Sequence, residues 1–275
     1  MAAVCVVALM AASIVAAQGI WRGGYGFRRE PPRFPNERTF QGGYNFCRGI
    51  YESDRREAGG SGWNTDYPGA DINFSIRLGE LTKTNVTMSS ASGESDDPEY
   101  TTVQLTDAAL FECPMLVLED AGTASFSDAE VIRLRQYLLK GGFILSADYW
   151  GTLAGEQFDE EIGRVLPRAQ YPIVEVPMNH SIWHTLFDVK HIPQVSSIQF
   201  WRMSGGEVSE RGDDSPAPDT RGIIDEHGRL MVLMMHNTDI PDGWEREAED
   251  PEYFFRFSPD TYAIGIDVVL YAMTH

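Results

Sequence analysis

Acids, imidazoles and amides stand directly after each of the short apolar runs of this chain. Glu52, Asp54, Arg55 and Arg56 follow Phe40–Tyr51, and Glu119 and Asp120 follow Met115–Leu118. Asp148-Tyr149-Trp150-Gly151 follows Phe143–Leu145, and the segment from Asn179 to His184 follows Ile173–Val176. His236, Asn237 and Asp239 follow Met231–Met235. Carboxylate and imidazole on one rim suit two chemistries. They can ligate a divalent metal, or they can act as a general acid and base on a polar substrate. Asp148, His180 and His236 are the candidates for either role. His180 and His184 are four residues apart, a spacing that puts both on one face of a helix, but the Glu of the zinc-helix pattern is missing. Trp63, Tyr67, Trp150, Trp183 and Trp244 lie in or near the same loops, where aromatics stack on sugar rings or anchor the loop. Trp63, Tyr67, Trp150 and Trp244, with Asp66, Asp120 and His184, make up the expected ligand-binding set.

Convergence of these groups depends on the elements that carry them. Met115–Leu118 and Met231–Met235 are continuous apolar runs, the pattern of strands buried on both faces. Ser127 and Glu130 form a capping box that opens a helix, Val131, Leu134 and Leu138 supply its inner stripe, and Gly141-Gly142 ends it. Further helices are expected over Asp71–Leu81, Phe158–Leu166 and Thr261–Met273, and Ser89–Thr102 and Ser204–Arg221 are expected as polar surface loops. Alternation of short buried strands with helices of about a dozen residues argues an α/β fold, a parallel sheet covered on both faces. Ligands of such sheets bind beyond the carboxyl ends of the strands, where the acids stand.

What is missing narrows the chemistry. There is no Gly-x-Ser-x-Gly elbow and no phosphate-cradling glycine loop. Cys113 precedes its strand and so belongs to the end of the sheet opposite the acids, which disfavours thiol catalysis. Cys47 and Cys113 could form one bridge; flanked by apolar segments, they are expected as two buried free thiols.

The chain carries 22 Lys+Arg against 41 Asp+Glu, a formal net charge of −19. Such a surface repels phosphate backbones and argues against nucleic acid. The sign is not uniform: residues 1–38 carry +3 and the remainder −22. Ala2–Ala17 is apolar, uncharged and short for a membrane span, and it ends in small residues before Gln18. It reads as a signal peptide over 1–18, followed by a flexible basic arm over 19–38 and a single α/β domain over 39–275. The protein is therefore expected in the periplasm or cell envelope, touching a membrane only if the N-terminal segment is retained.

Trp63-Asn-Thr-Asp-Tyr-Pro-Gly-Ala-Asp71, Arg77-Leu-Gly-Glu-Leu-Thr82, Asp148-Tyr-Trp-Gly151, Asn179-His-Ser-Ile-Trp-His184 and Gly243-Trp-Glu245 together resemble the domain of unknown function 4159 family. The resemblance spans about Thr39 to His275. It implies a flavodoxin-like three-layer sandwich with a mostly parallel sheet, similar to class I glutamine amidotransferases and trehalose-utilisation-like proteins. The nucleophilic Cys of the amidotransferases is not matched: the corresponding turns hold Asp120-Ala-Gly122 or Asp148-Tyr-Trp150. The resemblance marks Trp63, Asp66, Tyr67, Pro68, Asp148, Trp150, His180, His184 and Trp244 as site candidates.

The expected function is binding of a polar small molecule, neutral carbohydrate or basic protein partner at an acidic strand-end cleft, without thiol chemistry. The alternatives are a metal-dependent hydrolase of envelope carbohydrate or a related polar substrate, with a divalent metal as cofactor, and a structural envelope component.

Overall fold

The computed structural model describes residues 30–37, 39–89 and 97–275. The expected leader and most of the expected arm lie outside these residues. The described end of the arm runs beside the sheet: Arg33 accepts the Thr102 N–H at 2.9 Å through its carbonyl and lays its guanidinium 4.1 Å from the centroid of the Tyr100 ring.

The strands are β1 (Phe46–Ile50), β2 (Glu52–Ser53), β3 (Tyr100–Gln104), β4 (Leu116–Leu118), β5 (Ala124–Ser125), β6 (Ile144–Ser146), β7 (Ile173–Glu175), β8 (Asp219–Ile224) and β9 (Leu230–His236). The helices are α1 (Gly69–Leu81), α2 (Asp128–Leu139), α3 (Gly151–Val165), α4 (Ile198–Ser204), α5 (Asp242–Glu245) and α6 (Pro251–Thr274). The main sheet has the order β3-β1-β4-β6-β9-β8-β7. Its first five members pair in parallel, while β8 and β7 are added antiparallel at one edge. In chain order the parallel strands run 2-1-3-4-5, the flavodoxin-like winding. The winding reverses between β1 and β4, the position where open α/β sheets form their ligand crevice beyond the strands' carboxyl ends. There β2 and β5 pair antiparallel and tie the two exit loops together.

Period-two alternation divides the core between the two faces of the sheet. Phe46, Val117, Leu145, Leu233 and Met235 face α1 and α6, whose Phe74, Leu78, Ile264 and Val268 complete one apolar layer. Cys47, Leu116, Leu118, Ile144, Val232 and Met234 face α2 and α3, with Leu134, Leu138, Phe158 and Ile162. The result is a three-layer α/β sandwich. The capping box at α2 is present: the Ser127 hydroxyl accepts from the Glu130 N–H, and the Glu130 carboxylate accepts from the Ser127 N–H. Helix α2 ends at Gly141, whose φ is +108°.

The structure corrects several expectations. Cys47 and Cys113 are joined in a disulfide. They sit on neighbouring strands, since Cys47 is in register with Leu116 just beyond Cys113, a proximity hidden by 66 residues of separation. The stretches expected as loops contain strands: Tyr100–Gln104 emerges from the first and Asp219–Ile224 from the second. Helix α6 begins ten residues before the expected start, at Pro251, and runs through Pro259. Among the described residues no helix is long and apolar enough to cross a membrane.

Candidate acidic site at the carboxyl rim

Among the described residues, four other than glycine have left-handed backbone: Asp66 at φ 60°, Asp120 at 48°, Asp148 at 53° and Asn237 at 59°. Three of them follow strands directly or within two residues, after β4, β6 and β9. This conformation is disfavoured for residues with a Cβ, and Asp and Asn adopt it most readily among them. It turns the chain sharply where each strand ends. Neighbouring turns lock one another: the Asn237 N–H donates to the Tyr149 carbonyl at 2.9 Å, and the Gly151 N–H donates to Asn237 Oδ1 at 2.9 Å.

Beneath the rim lies one buried guanidinium. Arg48, in the middle of β1, is fully buried. Its Nε donates to both carboxylate oxygens of Asp71 at 3.1 Å, and its Nη1 donates to the carbonyls of Trp63 at 3.2 Å and Thr65 at 2.8 Å. Arg48 thus holds the loop that presents Asp66. Its Nη1 also lies 3.8 Å from Glu119 Oε1, too far for a hydrogen bond. Glu119 is fully buried, and neither of its carboxylate oxygens has a hydrogen-bond partner. Asp66 Oδ2 is likewise buried and unpartnered.

Burial pushes the carboxyls of Asp66, Glu119 and Asp239 well above the usual range, and neighbouring carboxylates add to the effect. Asp120 is pushed up to about 7 by burial, against a pull downward from the Gly62 N–H, which donates to its Oδ2 at 2.7 Å. Asp148 is pushed up to about 8 by burial and then by Asp120 and Glu210, while the Trp150 indole N–H, donating to its Oδ1 at 3.1 Å, pulls it back. Mutual perturbation of this kind marks the groups as neighbours in a poorly solvated space.

The expected residues divide accordingly. Asp66, Asp120 and Asp148 converge, with Trp150 on Asp148. Trp63 and Tyr67 are half-buried beside the site, their rings 5.5 Å apart, and Arg48 lies 5.8 Å from the Tyr67 ring. Trp244 is a core residue, fully buried against Phe74 at 4.5 Å between centroids. His236 reaches the rim but points to the α3 face, across the sheet from Glu119; it stacks on Tyr149, and its Nε2 lies 2.8 Å from the Gly151 carbonyl. Asp54 turns outward and pairs with Arg55 at 3.0 Å.

His180 and His184 do not join the site. His180 lies 5.8 Å from the ring of Tyr271 near the end of α6, and the Tyr271 hydroxyl accepts the N–H of Leu230, where β9 starts. His184 binds the Met178 carbonyl at 2.8 Å and Asp188 at 3.1 Å. The physical reason is that β7 is an antiparallel edge addition, separated from β9 by β8. The chain leaves it across α6, where Asp267 accepts the Leu186 and Phe187 N–H groups at 2.8 and 2.9 Å. Fully buried Trp183 belongs to the same packing.

Arg48 and Asp242 escaped the sequence reading. Asp242 Oδ2 accepts from the Ile198 N–H at 2.9 Å and the Tyr253 hydroxyl at 2.9 Å. The available signal for Arg48 was a charge inside the apolar strand Phe46-Cys-Arg-Gly-Ile50. No curated protein matches the chain. The profile of the family described as a domain of unknown function, DUF4159, matches residues 54–273. That span contains Asp66, Asp71, Glu119, Asp120, Asp148 and Asp239, and with it most of the rim; the chain therefore belongs to the DUF4159 family.

Proposed function

We propose that this protein binds a polar ligand carrying positive charge or hydroxyl groups, or a basic partner, in the acidic crevice between β1 and β4, without thiol chemistry. One observation carries the reading: the carboxylate of Glu119 is fully buried at the winding reversal with no hydrogen-bond donor. A buried acceptor left unsatisfied costs about 1–3 kcal/mol, more when charged, and a donor or cation from outside would remove that cost. The cysteines support the negative part, since Cys47 and Cys113 are bonded to each other at the opposite end of the sheet. The same disulfide supports export to the periplasm or envelope, because such bonds persist in oxidising compartments. The 2-1-3-4-5 winding supports kinship with the amidotransferase-like folds at the level of architecture.

The test compares the chain with Asp148→Asn, which keeps the left-handed turn and an acceptor for Trp150. Thermal unfolding is followed with spermidine, a neutral disaccharide and inorganic phosphate. Stabilisation by spermidine or the sugar, lost in Asp148→Asn, is the expected result. Stabilisation by phosphate, a response that survives the substitution, or no response to any probe overturns the reading.

A further inference from the structure

We propose that Asp66, Glu119 and Asp239 form a binding site for a hard divalent cation of the calcium or magnesium class. The inference rests on the crevice reading above and names the ligand that completes it. Each of the three residues places a carboxylate oxygen so that all lie within 4.8 Å of one another. Oxygen ligands of calcium stand 2.3–2.6 Å from the ion, so ligand atoms on opposite sides of it are roughly 5 Å apart, and magnesium needs only slight contraction. The donor set contains no imidazole and no thiolate, which selects hard ions over zinc.

An acidic cluster alone would not justify a site, but here two of its members are incomplete. Glu119 is fully buried with both oxygens unpartnered, and Asp66 Oδ2 is buried and unpartnered. Among the described residues, Arg48 is the guanidinium beside Glu119, and it gives its hydrogen bonds to Asp71 and to the Trp63 and Thr65 carbonyls rather than to Glu119. Arg48, 3.8 Å from Glu119 Oε1 and shared with Asp71, is one positive charge against three carboxylates, and a divalent ion offsets the remainder. A second grouping, Asp66 with Asp242 and Glu245, meets the same spacing. It is the weaker choice, because Asp242 is engaged by Ile198 and Tyr253, and Glu245 is bonded to Arg246 at 2.6 Å. The location also fits, since Glu119 follows β4 at the reversal of the winding, where open α/β sheets place their ligands.

The experiment uses the full chain, stripped with chelator and dialysed, with CaCl2, MgCl2 and ZnCl2 as probes in thermal unfolding and isothermal titration. At a hundredfold excess over Kd the melting temperature should rise by about 5–10 °C with Ca2+ or Mg2+. Glu119→Gln should weaken that binding at least tenfold. Gln keeps the size and shape of the Glu119 side chain, so the unfolding transition of the variant in chelator should stay cooperative. His180→Ala, far from the crevice, should bind like the unmodified chain. A flat response to Ca2+ and Mg2+, equal binding by Glu119→Gln, or a preference for Zn2+ overturns the site. A flat metal response beside an Asp148-dependent response to spermidine or sugar overturns the cation alone; a flat response to every probe overturns the crevice reading as well.

Discussion

Replacing Arg48 by Met removes the charge while keeping most of the volume, and the structure sets the cost. Arg48 and Asp71 are both fully buried, so the substitution leaves a carboxylate in the interior without its partner. Breaking a buried pair from one side costs about 3–5 kcal/mol. The Trp63 and Thr65 carbonyls also lose their donor, which pushes the figure to the upper end. At 2–4 °C per kcal/mol for a domain of this size, melting should fall by about 10–20 °C. Urea unfolding of the single variants Arg48→Met and Asp71→Asn and of the double variant gives the coupling directly, expected at about 2–3 kcal/mol. The pH dependence has a definite sign. Burial raises the Asp71 carboxyl and Arg48 pulls it back down. Without the guanidinium, the folded-state pKa rises further above that of the unfolded chain. The folded variant then takes up a proton that the unfolded chain does not hold, so its deficit should shrink as pH falls from 7.5 to 5. A loss below about 1 kcal/mol, additive single variants, or a deficit that grows on acidification would refute the reasoning.

Two further predictions concern the frame. The Cys47–Cys113 bridge spans 66 residues of chain, and closing a loop of that length stabilises by about 4 kcal/mol in the chain-entropy account. Cys47→Ala/Cys113→Ala should therefore lower the urea midpoint in non-reducing buffer, and equal midpoints would contradict the bridge. Gly122→Ala should destabilise by about 1–3 kcal/mol through overpacking, because a Cβ there would stand 2.5 Å from that of Ala154; an unchanged thermal midpoint would show that α3 can move aside.

The parallel core of the fold was legible because its strands are apolar on both faces and its helix signals are local. Met115–Leu118, Phe143–Leu145 and the Ser127 cap need no tertiary information. Strand β3 was not legible: Tyr100-Thr-Thr-Val-Gln104 is half polar and follows an acidic, serine-rich stretch, and its strand character comes from pairing with β1. Strand β8 is similar, Asp219-Thr-Arg-Gly-Ile-Ile224 being shaped by β9 on one side and β7 on the other. For the site, strand-end register brought Glu119, Asp120, Asp148 and Asp239 together correctly. It failed for Asp54, which turns outward to Arg55, for His236, which points to the α3 face, and for His180 and His184, because the sequence does not show that β7 belongs to an antiparallel edge. The disulfide and the Arg48–Asp71 pair are products of packing between segments distant in the chain.

The four left-handed turns at Asp66, Asp120, Asp148 and Asn237 bear on how this protein would respond to selection. Each holds a side chain in a backbone conformation that glycine adopts without strain, at a cost of roughly 1 kcal/mol. At Asp120, Asp148 and Asn237 the side chain offsets that strain with hydrogen bonds to Gly62, Trp150 and Gly151, so glycine there would relieve the backbone and lose the bond. Glycine at all four positions would strip three carboxylates and an amide from the rim. The rim acids are thereby tied to the backbone that carries them, and a stabilised variant that kept them would gain its stability elsewhere.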